Sequence, residues 1–248
     1  MNLRRDLPIL LAAVAAIIGA SLAGDGRWLH WIAKPLTTLL IAAIVWRALR
    51  VTDPAGTDTA NTDPTDTRSA GRWPATTHPV TARFYARAIL LGMFFSCLGD
   101  IALMLPFDAF VPGLIAFLLA HLCYIVAFRA GFGAGQGLAL AATLLALFAG
   151  TNLAGLWPLL PDDLRIPVVV YVAVLALMAT LALARAWSRN ALDAERRTSV
   201  NWAAAGAVLF VISDSVLAWD RFGGGLPAAS LCVLATYYAA QYCIARSA

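Results

Sequence analysis

The sequence predicts an all-α membrane protein, a bundle of eight transmembrane helices. Hydrophobic residues make up 61% of its 248 residues, and only 13% are charged, about half the share found in soluble domains. The mean hydropathy is +0.76. Apolar runs close to the roughly 20 residues needed to cross a bilayer recur at residues 7–23, 29–49, 84–105, 109–129, 136–156, 166–187, 199–219 and 226–245.

The arginines predict how these spans are oriented. The first run follows Arg4 and Arg5 as a signal peptide would, but no convincing cleavage site follows it, so we expect a retained helix. With the N-terminus inside, fourteen arginines lie on the inner side and three on the outer side. The positive-inside rule then predicts both termini in the cytoplasm, with the protein in a bacterial inner membrane. No basic patch laced with aromatic residues suggests nucleic-acid binding.

One segment departs from the apolar pattern. Residues 51–82 are dominated by Thr, Asp, Pro and Ala, and such a stretch buries too little apolar surface to order itself. We interpret it as a flexible cytoplasmic linker within a single transmembrane domain that spans residues 1–248. His78 lies in this linker, so no catalytic role is expected for it.

Lys34, which is the only lysine, and the acids Asp100 and Asp214 fall inside the predicted spans. A charge in hydrocarbon is costly and needs a partner or a wet cavity. At about 1.5 Å per helical residue, each lies roughly 8 Å below the outer boundary. A depth shared by three helices predicts one cavity that opens toward the outer half of the bilayer.

Further polar residues share these helices or this depth. Ser96 lies four residues before Asp100, so both face the same side of the third span. His121 and Tyr124 share a face of the fourth span in the same way, and Asn152 lies near the outer level. The residues predicted to bind or orient a substrate are Lys34, Ser96, Tyr124, Asn152, Tyr237, Tyr238 and Gln241.

Two short segments suggest an internal duplication. GDIAL at 99–103 and SDSVL at 213–217 share a pattern of small residue, Asp and Leu, near the outer ends of the third and seventh spans. We therefore predict a parallel repeat of four helices that places the two aspartates at equivalent positions. Ser213 is expected to bond to a backbone carbonyl of its own helix.

The chain resembles the YhhN-type lysoplasmalogenase family in AKPLTTLL at 33–40, SCLGDIALML at 96–105, HLCYIVAF at 121–128, VISDSVLAWDRF at 211–222 and a tyrosine-rich final helix. The order of these motifs and the eight-span layout also match, over nearly all of the chain outside 51–82. The resemblance implies an integral membrane hydrolase that cleaves the vinyl ether bond of lysoplasmalogens to a fatty aldehyde and a glycerophospho-alcohol. It also implies that Lys34, Asp100, His121 and Asp214 correspond to the family's polar positions.

The residues suit that chemistry in their own right. Vinyl ether hydrolysis begins with protonation at carbon, and water then adds to the resulting oxocarbenium ion. Paired carboxylates in different environments supply an acid and a base. We expect Asp100 and Asp214 to form this pair, with the two roles unassigned, and His121 to orient water or a carboxylate. Lys34 would hold one acid ionised or bind the substrate phosphate. No cofactor is expected, and no metal-ligand spacing is present.

Other interpretations remain open at this stage. Lys34 can be a purely structural ion pair, and His121 a purely structural bond between helices. Intramembrane charges also suit a proton-coupled transporter. A zinc amidase of the ceramidase kind would need several histidines, and only His121 lies well inside a span. The expected partners are a lysophospholipid substrate and membrane lipids, with the oligomeric state undetermined.

Overall fold

A computed structural model describes residues 3–22, 27–51, 79–129, 137–188 and 194–248. It confirms the predicted all-α fold of eight helices. Their bounds are α1 Leu3–Ser21, α2 Arg27–Val51, α3 Pro79–Met104, α4 Phe110–Arg129, α5 Leu138–Leu156, α6 Asp162–Trp187, α7 Ala194–Phe222 and α8 Ala229–Arg246. A short 3-10 turn, Trp157–Leu159, follows α5.

Six of the helices, α2 to α7, are long and apolar enough to cross a membrane, so the chain is a multi-pass membrane protein. The first and last helices, α1 and α8, do not meet that criterion. The apolar part of α1 is the shorter stretch Asp6–Ser21. Both nevertheless belong to the bundle, because α1 and α8 pack on each other and on α2.

The predicted linker is shorter than the pattern of residues suggested. Because α2 continues to Val51 and α3 begins at Pro79, residues 79–82 are helical. Proline is well tolerated in the first turn of a helix, where its missing N–H has no partner to lose. The remainder of the predicted linker, 52–78, lies outside the described residues, and its flexibility stays a prediction.

The helices pack as two similar sets of four. Within each set, consecutive helices are neighbours: α1 with α2, α2 with α3 and α3 with α4, and likewise α5 through α8. The sets meet through α4 against α6, through α8 against α2 and through α8 against α1. The first two contacts are equivalent in a parallel four-helix repeat, whereas the third has no counterpart of similar extent between α4 and α5. The repeat itself stays a prediction, to be tested by superposing one set on the other.

Polar contacts join the helix ends on the side that the arginines assign to the cytoplasm. The Tyr85 and Ser247 hydroxyls lie 2.7 Å apart and link α3 to the end of α8. Arg185 of α6 donates a hydrogen bond to the Phe128 carbonyl at 3.0 Å, and its guanidinium lies over the Tyr85 ring. A cation at the carbonyl end of α4 is favoured by the helix dipole. These contacts join α3, α4, α6 and α8 at this end of the bundle.

Close backbone approach fixes how α7 packs on α8. A Cβ atom added at Gly206 would lie 2.8 Å from the Ala240 carbonyl oxygen and 2.7 Å from Ile244. Small residues permit this kind of helix contact in lipid. Gly150 of α5, in contrast, has open space where a side chain would begin.

We expect Gly206→Ala to destabilise the protein. Alanine gains about 1 kcal/mol of helix propensity over glycine at either site, but at Gly206 it also forces α7 and α8 apart, which costs ~1–3 kcal/mol or more. Thermal unfolding in detergent measures the difference. Gly150→Ala is the matched control and should leave the unfolding temperature unchanged or raise it. Equal unfolding temperatures for the two variants would contradict this packing.

Candidate active site

The first charged centre is built around Asp100, near the C-terminal end of α3. Its side chain is 1% exposed, and Lys34 Nζ of α2 lies 3.5 Å from Oδ1. Thr38 donates a hydrogen bond to Oδ2 at 2.6 Å, and Tyr237 of α8 donates to the same atom at 2.8 Å. A carboxylate removed from water in this way is stable as an ion only with a cation and several donors.

The second centre is built around Asp214 of α7. Tyr171 of α6 donates a short hydrogen bond to its Oδ2, and His121 Nε2 of α4 lies 3.6 Å from the same oxygen. His121 Nε2 also lies 3.0 Å from the Tyr171 oxygen. Because Tyr171 gives its one proton to Asp214, its oxygen accepts from His121, and this makes Nε2 the protonated ring nitrogen. The imidazole and the phenol thus hold Asp214 in place.

The two centres lie on one polar cavity of about 320 Å³. Lys34, Asp100 and Asp214 all line it, as their shared depth predicted. The cavity has room for roughly ten water-sized groups at ~30 Å³ each. It continues past Tyr237 toward the helix ends, where Trp31 and Asp220 line it. The three charged groups therefore meet in a space that admits water and a polar ligand.

An apolar cavity of about 90 Å³ adjoins the polar one between α4, α5, α6 and α7. Both cavities are lined by Leu103, Phe117, Leu217 and Asp214. Asp214 is the only ionisable residue of the four. Its side chain is 14% exposed. A ligand with a polar part in one cavity and a hydrocarbon part in the other would contact Asp214 at the junction between the ligand's two parts.

A line of hydrogen bonds extends from Asp100 into the bundle. Tyr124 donates to Gln241 Oε1 at 2.8 Å, and Gln241 Nε2 donates to the Tyr237 oxygen at 3.3 Å. The Ser96 hydroxyl lies 3.4 Å from that of Tyr124. Because Tyr237 receives a proton from Gln241, its own hydroxyl hydrogen points to Asp100. Four of the predicted orienting residues thus form one network behind Asp100.

Two other predicted residues, Asn152 and Tyr238, lie outside this network. Asn152 lines the apolar cavity, donates to the Phe148 carbonyl in its own helix at 3.0 Å and accepts from Trp219 at 3.0 Å. The Tyr238 ring packs on that of Tyr237, with centroids 5.4 Å apart. The prediction for Ser213 was wrong. Its hydroxyl donates to the Val233 carbonyl on α8 at 3.1 Å, because α7 and α8 pack closely enough for this bond.

Sequence reasoning missed two residues that contact the acids directly, Thr38 and Tyr171. Both carry signals that identify them in retrospect. Thr38 follows Lys34 by four residues, so the two share one face of α2. Tyr171 places a hydroxyl in the stretch 166–179 of α6, whose other residues are all apolar, and a buried phenol usually finds a partner.

The polar residues of both centres fall within a segment shared with known proteins. The model of the YhhN family matches residues 29–248, which include α3 to α8 and nearly all of α2. The chain belongs to the YhhN family. No solved structure matches it.

Several relatives of this YhhN family member are similar over much of its length. Lysoplasmalogenase TMEM86B of Homo sapiens is 42% identical over 62% of this chain and 59% of its own length. Lysoplasmalogenase TMEM86A of Bos taurus is 34% identical over 69% of the chain and 67% of its own length. A Mycobacterium tuberculosis lysoplasmalogenase is 37% identical over 68% of the chain and 62% of its own length. The chain thus spans about three fifths to two thirds of these relatives.

We expect Lys34→Met to destabilise the protein by roughly 3–5 kcal/mol, because it leaves the buried Asp100 carboxylate without a cation. Adding Asp100→Asn removes that unpaired charge, so the double variant should be more stable than Lys34→Met alone. Thermal unfolding of the four proteins of this double-mutant cycle measures the coupling. Strictly additive effects of the two substitutions would show that the pair does not interact.

Proposed function

We propose that the protein hydrolyses the vinyl ether bond of lysoplasmalogen-type lysophospholipids to a fatty aldehyde and a glycerophospho-alcohol. The observation that carries the proposal is the position of two carboxyl groups in different environments on one polar cavity, with one of them also bordering an apolar cavity. The names of the relatives, all lysoplasmalogenases, support the same reaction.

The hydrolysis requires an acid group and a base group on opposite sides of the vinyl ether bond. An acid delivers a proton to the vinyl carbon on the chain side, and the neighbouring carbon and oxygen become an oxocarbenium ion. Water adds to that carbon and loses a proton to a base. The resulting hemiacetal breaks its bond to the glycerol oxygen, which takes up a proton, and the aldehyde leaves. An acid and a carboxylate with distinct surroundings divide these steps.

Asp214 is the better placed proton donor. The carbon that is protonated belongs to the hydrocarbon chain, so the donor must border the apolar cavity, and Asp214 is the one ionisable residue common to both cavities. Tyr171 and His121 contact the Asp214 carboxyl group and fix the orientation of that side chain. They are positioning residues in this proposal, because they act through Asp214.

Asp100 is the better placed base. Its ion pair with Lys34 stabilises the carboxylate form, which can attract the oxocarbenium ion and accept a proton from water. Thr38 and Tyr237 hold one of its oxygens, and the network through Gln241 fixes the direction of the Tyr237 hydroxyl. Lys34 also supplies a positive charge on the polar cavity for the substrate phosphate.

The alternatives find less support. None of the three relatives described above carries a transporter name, and the contacts of Tyr85 and Arg185 hold together the end of the bundle away from the polar cavity. Among the described residues, no three His, Cys or acidic side chains gather as ligands for a metal ion. A zinc amidase mechanism therefore has no ligand set in that part of the chain.

We expect Asp100→Asn and Asp214→Asn each to lower aldehyde release by at least ~100-fold, because each removes one acid–base group. The measurement is aldehyde formation by purified protein from a lysoplasmalogen, beside the ester lysophospholipid of the same head group. Asp163→Asn, at an exposed position in the first turn of α6, is the control and should keep full activity. Aldehyde release by both active-site variants at the wild-type rate would refute the assignment.

The orientation is also a proposal, with both termini in the cytoplasm and the polar cavity facing outward. In a variant whose native cysteines are replaced, Asp163→Cys at the start of α6 should react with a membrane-impermeant maleimide in intact cells. Arg129→Cys at the end of α4 should react only after the membrane is opened, because the two positions lie at opposite ends of the bundle. The reverse pattern of labelling would invert the topology.

A further inference from the structure

The apolar cavity is lined mainly by apolar side chains of α4, α5, α6 and α7. At the outer end, the rings of Phe110 and Phe222 meet edge to face with centroids 5.6 Å apart. At the inner end, it is lined by Leu145, Leu175 and Val211. The walls formed by α6 and α7 pack directly on each other.

The side toward α4 and α5 faces the lipid. Helix α5 is the most peripheral of the predicted spans, with only 6% of its apolar window buried, and it packs mainly on α6. Phe148 of α5 lines the cavity and is 43% exposed on its outer surface. Phe148 thus borders both the cavity and the hydrocarbon of the bilayer.

The size of the cavity limits what it can enclose. About 90 Å³ holds roughly three water-sized groups at ~30 Å³ each, and a methylene is of similar size. A long hydrocarbon chain that enters at Asp214 therefore fills the cavity with its first carbons and must leave it again.

We propose that the apolar cavity binds the ether-proximal carbons of a single hydrocarbon chain, and that the rest of the chain passes beside Phe148, between α4 and α5, into the bilayer. This inference takes the cleaved bond from the proposed function. The binding of the hydrocarbon chain does not depend on that function. The occupant is one chain of a lysolipid, because the cavity meets the polar cavity at Asp214 and has apolar walls. The distal carbons gain nothing by leaving lipid, since hydrocarbon and apolar side chains are equally apolar.

Photoaffinity labelling tests the location without any turnover. The probes are two alkyl ether lysophosphatidylcholines, which carry a diazirine either close to the ether or at the end of the chain. The first should label peptides of α4, α6 and α7 that line the cavity. The second should label the α5 region around Phe148 or bilayer lipid. Labelling of the polar cavity by the first probe, or of the cavity interior by the second, would overturn the proposal.

A substitution tests the same path during turnover. Ala176→Phe fills the inner part of the cavity and should lower kcat/KM for a long-chain vinyl ether by about tenfold or more, while a substrate with a very short chain is unaffected. Leu145→Phe, from the opposite wall, serves if the first variant does not fold. Leu147→Phe, on the lipid-facing side of α5 with 64% exposure, is the matched control and should be silent.

The outcomes separate the two proposals. If the wild-type protein releases no aldehyde but the probes label as expected, the chain site stands and the reaction is wrong. If aldehyde forms but Ala176→Phe and Leu145→Phe lower the rate equally for long and short chains, the chain lies elsewhere.

Discussion

The structure depends on keeping a carboxylate charged inside a membrane. Removing an ion from water costs several kcal/mol even after relaxation, and Asp100 is almost completely buried. The protein offsets this cost by bringing an ammonium group and two hydroxyls to a single side chain. Those donors come from α2 and α8, which are far apart in sequence. The need to satisfy one charge thus determines which helices meet at the centre of the bundle.

The two acids differ in their neighbours, and this difference is the basis of the proposed chemistry. Asp100 has a cation beside it, whereas Asp214 has a phenol and an imidazole. Asp214 also borders an apolar space that Asp100 does not line. Asp100 and Asp214 are side chains of the same type, but their neighbours give them different electrostatic environments at the two ends of the bond proposed to be cleaved. Lipid hydrolysis places the same demand on any site, because its substrate is polar at one end and apolar at the other.

The sequence was sufficient for the helices and for the main charged groups. Long apolar runs and a lysine and two aspartates within them follow directly from the cost of polarity in lipid. Two of the hydroxyls that bind the acids, that of Thr38 at Asp100 and that of Tyr171 at Asp214, were harder to predict. Tyr171 lies in a helix whose other residues give no sign of a facing direction, and Thr38 differs little from the many small polar residues that pack helices. Which hydroxyl meets which acid depends on helix rotation, and this is set by packing that a single sequence does not display.

Neither set of four helices supplies all the side chains that contact its own aspartate. The first set contributes Asp100 but takes Tyr237 from the second, and the second contributes Asp214 but takes His121 from the first. A protein half this length would therefore need two identical copies facing each other, and its two acids would then have identical surroundings. Joining both sets in one polypeptide frees each acid to acquire its own neighbours, so a division of labour between them requires the covalent connection.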